Sequence, residues 1–380
     1  MCSSDLDIEL SLTVAGGARS ASPGYASLHR DAVVIGSAAR AESRLHPRHS
    51  GNRFWMHLGT TPLVPAHPRV RHHADLAWMH LQHVHELGGK PRELVLAVPG
   101  SMEREQLAIL LGIVQRCDFR AVGLVDAAVA AACSTATGER ALHVDLQLHQ
   151  CVITELARED GVLVRQQVQV LADAGLAGLQ ARWAKLVAAA FIRQSRFDPS
   201  HAAAAEQQVY DLMPQWMRSL DESASVEAEI RTGNVVHRAT LQSGDFLAAA
   251  APVFDAVAAA AAALPRATVL LAPRFSALAR AGSRLPGSVL LDADSLARNC
   301  LEHLDLIRSD GAALRFVTRL PAGAPGHLTE DSAPAPTHLV AGHRALRLHG
   351  PSLHLVRNVE GTWQLVRDRP PSAEIGRAHV

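Results

Sequence analysis

The run Leu142-His143-Val144-Asp145-Leu146-Gln147-Leu148-His149-Gln150-Cys151-Val152-Ile153-Thr154-Glu155-Leu156 reads as two short strands, 142–146 and 151–156, joined by a polar turn. Asp160-Gly161 is a hairpin turn, and Val162–Val170 alternates as the return strand. This hairpin is the centre of an α/β pattern that extends in both directions. Upstream, Leu94–Val98 is a short, fully apolar strand, and Pro99-Gly100-Ser101 is a turn with Ser101 placed to cap a helix over 102–116. Glu103 and Glu105 fall in the first turn of that helix, where carboxylates suit the dipole. A strand over 121–124 and a helix over 127–134 follow. Downstream, the pattern predicts helices over 174–194 and 202–220, the second interrupted near Pro214. A hairpin over 226–230 and 235–241, an alanine-rich helix over 245–264, a buried strand over 267–271, a helix over 275–282 and a strand over 288–291 complete it.

Before residue 94, Ile8–Val14 reads as a strand ahead of a Gly16-Gly17 turn. Residues 25–28 and 32–35 form a hairpin, 44–71 is irregular, and 73–87 is a helix stopped at Gly88-Gly89. After residue 320, the Pro/Ala/Gly-rich stretch 321–336 reads as an exposed linker and 337–369 as a small β-meander turning at Glu360-Gly361. So short a meander buries too little to be stable alone, so it is expected to dock on the second lobe or to be completed by a further C-terminal segment. Residues 1–6 and 373–380 resemble translated sequencing adapter, so both are set aside and the true start is left open.

The chain has 380 residues, 48% of them hydrophobic and 19% charged, enough for a large core and two lobes. Lys+Arg and Asp+Glu are both 37, which excludes the strongly basic footprint of a general nucleic-acid binder. Lys90 and Lys185 are the only lysines, as suits a GC-rich bacterial genome, so any lysine chemistry has two candidates. Five scattered cysteines without a C-x-x-C predict free thiols in a reducing, cytoplasmic compartment. Phe246–Leu264 is apolar but mostly alanine and carries Asp255 and Pro252, and reads as a soluble helix with no membrane role.

This order of elements resembles the nucleotide-binding region of the acetate/sugar kinase, heat-shock chaperone and actin superfamily, and most of all its DnaK-type branch. The likeness covers about residues 25–317 and rests on a series of phrases. Leu94-Val95-Leu96-Ala97-Val98-Pro99-Gly100 stands where the family has V-T-V-P-A. Val125-Asp126-Ala127-Ala128-Val129-Ala130-Ala131 stands where it has N-E-P-T-A-A-A, which makes Asp126 the counterpart of an acid that holds water and metal at the phosphates. Asp145-Leu146-Gln147-Leu148-His149-Gln150 stands where the family has the phosphate loop D-L-G-G-G-T. Asp145 is kept; the glycines that let backbone N–H groups approach phosphate are replaced.

The resemblance implies a two-lobed actin/DnaK-like ATPase fold with mixed sheets, lobes over 7–171 and 172–320, and a small C-terminal β segment over 337–372. The lobes would meet near Asp145–Glu155 and Leu264–Ala272. It implies Asp145 and Asp126 as catalytic acids if the protein is an ATPase. Glu206, Tyr210, His149, Ala272 and Arg274 would be the residues nearest a nucleotide. Here too the pattern departs: Val209-Tyr210 replaces a basic pair, Ala272-Pro273-Arg274 replaces V-G-G-S, and the family's lysine has no counterpart. The expectation is therefore a non-catalytic or weakly nucleotide-binding interaction or scaffold protein with a protein partner. The alternative is a working chaperone-like ATPase using ATP and magnesium through an altered loop. A sugar-kinase-like phosphotransferase lacks both its base and its loop.

Other constellations carry less. His80 and His83 have a usable metal spacing on one helix face, but Asp75 and Glu86 do not complete a ligand set, and a polar face explains them. Pro99-Gly100-Ser101-Met102 lacks the G-x-S-x-G elbow of a serine hydrolase. Arg53-Phe54-Trp55 and Arg196-Phe197-Asp198-Pro199 are either partner patches or loop anchors.

Overall fold

Alternating and fully apolar runs become strands, and 3.6-periodic runs become helices, along most of the chain. The computed structural model describes residues 9–14, 18–172, 174–278, 284–309 and 314–323, and, further on, five strands between 338 and 376. The elements before the central hairpin are β1 (Glu9–Thr13), β2 (Arg19–Pro23), β3 (Ala26–His29), β4 (Ala32–Ile35), α1 (Ser37–Ala41), β5 (Ser50–Gly51), β6 (Pro62–His67), β7 (Val70–His72), α2 (His73–Leu87), β8 (Glu93–Val98), α3 (Arg104–Val114), β9 (Arg120–Asp126) and α4 (Ala127–Ala132). Then come β10 (Arg140–Leu146), β11 (Gln150–Glu159), β12 (Val162–Ala172), α5 (Leu176–Ser195), α6 (Ala203–Glu222), β13 (Ser225–Thr232), β14 (Val235–Gln242), α7 (Ser243–Ala263), β15 (Thr268–Leu271), β16 (Val289–Leu290), α8 (Ser295–Glu302), α9 (Leu304–Ile307), β17 (Phe316–Val317) and β18 (Arg319–Pro321).

The fold is mixed α/β. Its largest sheet has six strands in the order β16-β15-β10-β11-β12-β18. Strands β10, β11 and β12 form an antiparallel meander, while β15 runs parallel to β10 and β16 parallel to β15. The sheet therefore draws strands from both sides of residue 171. A second sheet, β17-β9-β8, is parallel throughout. Smaller antiparallel pairings join β1 to β2, β3 to β4 and β5, β6 to β7, and β13 to β14.

Three apolar clusters hold these layers. One lies under α5, α6 and α7 and is filled by Trp183, Phe191, Met213, Trp216, Phe246 and Phe254. Another packs α2, α3 and the first strands around Leu12, Phe54, Trp55, Leu81 and Leu94. The third joins residues of β8 and β9 with Leu156, Leu163 and Leu270 of the six-stranded sheet, by way of α4 and α8. Every residue of α4 is buried and five of its six are alanine, so α8 approaches closely enough for Asn299 Nδ2 to donate to the Ala130 carbonyl at 2.7 Å. Helix α7 has the length and apolarity to cross a membrane, yet its Phe246, Ala250, Val253, Phe254 and Val257 face are core residues.

Several expectations are corrected. Helix α6 runs unbroken through Pro214, whose exposed ring leaves buried Met213, Trp216 and Met217 to hold the helix. Helix α3 is capped at Glu103, whose N–H donates to Gln106 Oε1 at 3.0 Å, and Ser101 serves elsewhere. Of the helix expected over 275–282, residues 275–277 belong to a 3₁₀ turn over Pro273–Ala277, and 279–282 lie outside the described residues. The irregular stretch 44–71 contains β5 and β6 and most of β7, and β2 has no counterpart in the sequence reading.

Residues 326–380 form a second compact unit, separate from 1–325. It contains β19 (His338–Ala341) paired with β20 (Arg344–Arg347), and β21 (Leu353–Arg357) between β22 (Trp363–Arg367) and β23 (Ile375–Gly376). The four stretches expected there are strands, divided between two sheets where one meander was expected. The Gly16-Gly17 and Glu360-Gly361 turns, residues 1–6 and most of the 321–336 linker lie outside the described residues.

Candidate functional site

Asp126 and Asp145 stand at or next to the carboxyl ends of β9 and β10, and Ala272 follows the end of β15. The carboxyl ends of parallel strands are where open α/β sheets place their ligands. Asp126 is fully buried and has two tasks. Its Oδ1 caps α4 by accepting from the Ala128 and Val129 N–H groups at 3.0 and 3.1 Å, and its Oδ2 pairs with Arg165 Nη1 at 2.7 Å. The Pro99-Gly100 turn closes on this pair: a Cβ at Gly100 would lie 3.0 Å from Asp126 Oδ2 and 3.3 Å from Arg165 Nη1.

Asp145 is also buried. Gln147 Nε2 donates to its Oδ2 at 3.0 Å, and its Oδ1 has no hydrogen-bond partner among the described residues. Gln150 Nε2 donates to Gln147 Oε1 at 2.7 Å and lies 3.4 Å from Ser101 Oγ. A chain of side chains thus runs Ser101–Gln150–Gln147–Asp145, from a cleft of about 300 Å³ lined by Trp55, Glu103 and Gln106 to the buried carboxyl. Burial pushes the Asp145 carboxyl up, against the pull of neighbouring His143 and the Gln147 amide. Burial holds His143 down, against the two carboxylates of Asp145 and Asp126 that flank it.

Asp145, His143 and Ala272 line one small cavity with Asp292 and Ser295. Its volume is about 30 Å³, room for a water or two. The turn that would have to open for a larger ligand is packed from behind. Leu148 is buried, and a Cβ at Gly175 would fall 2.3 Å from the His149 carbonyl carbon and 2.4 Å from the Gln150 nitrogen. Ala272 is tied to the sheet by its N–H to the Val144 carbonyl at 2.9 Å.

The other expected residues lie elsewhere. His149 Nε2 is 3.0 Å from the Asn52 carbonyl. Arg274 is half-buried, its guanidinium donates to the Glu9 carbonyl at 3.2 Å, and desolvation lowers its pKa to about 9. Glu206 and Tyr210 line a separate cleft of about 380 Å³ with Lys185 and Asp198. Arg44 occupies the approach to both: its guanidinium lies 3.8 Å from the Tyr210 ring centroid and 3.8 Å from Glu206 Oε1. The structure therefore brings Asp145 and Ala272 together, leaves Asp126 out of their cavity though near enough to act on His143, and places Glu206 and Tyr210 in a separate cleft. His143 and Arg165 were missed in the sequence. His143 shares its strand face with Asp145 by the two-residue period, which is the signal that could have found it; Arg165, on a different strand, left none.

No group of three His, Cys, Asp or Glu side chains is placed to hold a metal among the described residues. His80 is a core residue: Trp55 Nε1 donates to its Nδ1 at 2.9 Å and its Nε2 lies 3.1 Å from the Ser22 carbonyl. Phe54 and Trp55 are buried loop anchors, and Phe197 stacks on His237 at 3.8 Å. No family model matches the chain, and no curated protein matches it.

Proposed function

We propose that this is a DnaK/actin-like protein whose nucleotide site is closed by its own side chains, and that it works as a non-catalytic interaction or scaffold protein with a protein partner. The observation that carries the reading is the Ser101–Gln150–Gln147–Asp145 chain beside a 30 Å³ cavity. A phosphate cradle needs converging N–H donors and open space at the turn. This turn instead supplies amide side chains that satisfy one another and a buried leucine. The mixed six-stranded sheet and the order of elements support the superfamily reading. The replaced glycines and the missing lysine support the loss of catalysis.

The residues do not fit magnesium and ATP. Asp126 is consumed by Arg165 and its helix cap, and Asp145 sits in a space too small for a triphosphate. Calorimetry with Mg-ATP on the full chain should show no binding in the low micromolar range, about −8 kcal/mol. A Kd in that range, with turnover that Asp145→Asn removes, would establish the ATPase alternative in its place.

A further inference from the structure

We infer that the cleft between α2 and α3 is a binding site for a small organic monoanion with an apolar, preferably aromatic, body. The inference is independent of the nucleotide reading. The cleft has a volume of about 570 Å³, which is small-molecule size and larger than the two clefts and the cavity around the expected nucleotide residues. Its walls are Trp78 and Ala74 from α2 and Ile109 and Ile113 from α3. Trp78 is 37% exposed, high for so large an apolar side chain. Its ring N–H is held on the Arg116 carbonyl at 3.4 Å, which fixes the indole beside the opening. Gly112 lines the same cleft and, its chain neighbours and own helix backbone aside, no atom lies within 4 Å of where its Cβ would be, so a ligand can reach the helix backbone there.

The charges at the rim select the ligand's sign. Asp75 is already compensated: the Arg71 N–H donates to it at 2.7 Å, and Arg71 Nε and His72 Nδ1 lie 3.7 and 3.4 Å from its carboxylate. Arg116 has no ion pair among the described residues, although it borders an apolar wall. With Asp75 answered by Arg71, Arg116 is the charge left over in the cleft lining, and its guanidinium is complementary to a carboxylate or sulfonate whose ring lies along Trp78. A neutral apolar molecule would leave that charge unanswered, and a cation would be repelled by it.

The test is calorimetry on the full chain with naphthoate and with naphthylmethanol, its uncharged counterpart. Naphthoate should bind with a sub-millimolar Kd, at least about tenfold tighter than the alcohol, or about 1.4 kcal/mol. Arg116→Gln should bring naphthoate to the affinity of the alcohol, and Arg116→Lys should keep most of the preference. Gly112→Leu, a favourable helix substitution that fills the cleft, should weaken both probes by at least about tenfold. Equal binding of the two probes, binding of neither, or a Gly112→Leu chain that binds as before would overturn the inference.

Discussion

At the scale of single residues, the buried polar groups set how the protein responds to pH. His80 accepts from Trp55 on Nδ1, so a second proton there would face an N–H already pointing at it. Burial lowers its pKa from 6.5 to about 3. The folded state then binds fewer protons than the unfolded chain between those values, so stability is full above pH 6.5 and falls as pH drops towards 3. His80 alone should cost about 2 kcal/mol at pH 5 relative to neutral pH. Urea titrations at the two pH values should show His80→Phe losing about that much less on acidification than the parent chain. His143, also lowered by burial, acts in the same direction; Asp145, raised by burial, acts in the opposite one. Arg165 poses a different problem. Among the described residues it is the one ion-pair partner of Asp126, whose carboxylate is fully buried. Removing it leaves a buried charge with only its helix-cap bonds, so Arg165→Leu should destabilise by roughly 2–4 kcal/mol. Asp126→Asn in the same chain should recover part of that loss by removing the charge; a double variant no better than Arg165→Leu would show that the guanidinium acts by packing alone.

At the scale of elements, the sequence was most legible where one signal dominated. Helix α2 is found at its expected bounds because its apolar period ends at Gly88-Gly89, and the β13–β14 hairpin because Thr232-Gly233-Asn234 is an unambiguous turn. It was least legible where tertiary contacts overrule local chemistry. Pro214 reads as a break, yet the row of buried side chains around it keeps α6 continuous. Because Pro214 is exposed, Pro214→Ala restores a backbone donor without losing packing, and should stabilise the protein by about 2 kcal/mol after allowing for the freer unfolded chain. No gain in denaturation midpoint would mean that the helix is bent at this point to fit its neighbours. Gly175 is the opposite case. Its local role is to precede α5, but its importance lies in the 148–150 turn pressed against it. Both partners are backbone, so neither can yield cheaply. Gly175→Ala should cost at least about 2 kcal/mol, at the upper part of the overpacking range. It should also disturb the Gln147–Gln150 amide pair, visible as shifted side-chain amide resonances.

At the scale of the whole molecule, the mixed α/β class and the presence of the central hairpin could be read from sequence, whereas the partnership of sheets could not. Which strand lies beside β10 depends on contacts over more than a hundred residues, and neither turn chemistry nor period encodes them. The same holds for the site: Asp126 and Asp145 stand out as lone acids at strand ends, but their distinct surroundings come from Arg165, Gln147 and the Gly100 turn, which meet only in the fold. The end of the first unit shows this most directly. Residues 321–336 read as linker, yet β18 adds Arg319–Pro321 to the edge of the largest sheet, opposite Val162–Val164. Leu320 is 1% exposed and packs in the cluster that contains Leu156 and Leu163. Arg158 Nη2 further ties the Gly323 carbonyl at 2.8 Å. The first unit therefore needs its chain through about residue 323, although composition suggests that it could stop earlier. A chain ending at Pro325 should unfold cooperatively. One ending at Val317 loses the edge strand and a buried leucine, and should be less stable by roughly 2–5 kcal/mol, the usual range for removing a core side chain. Urea midpoints of the two truncated chains measure this difference directly; equal midpoints would remove β18 from the core and return the boundary of the first unit to before residue 319.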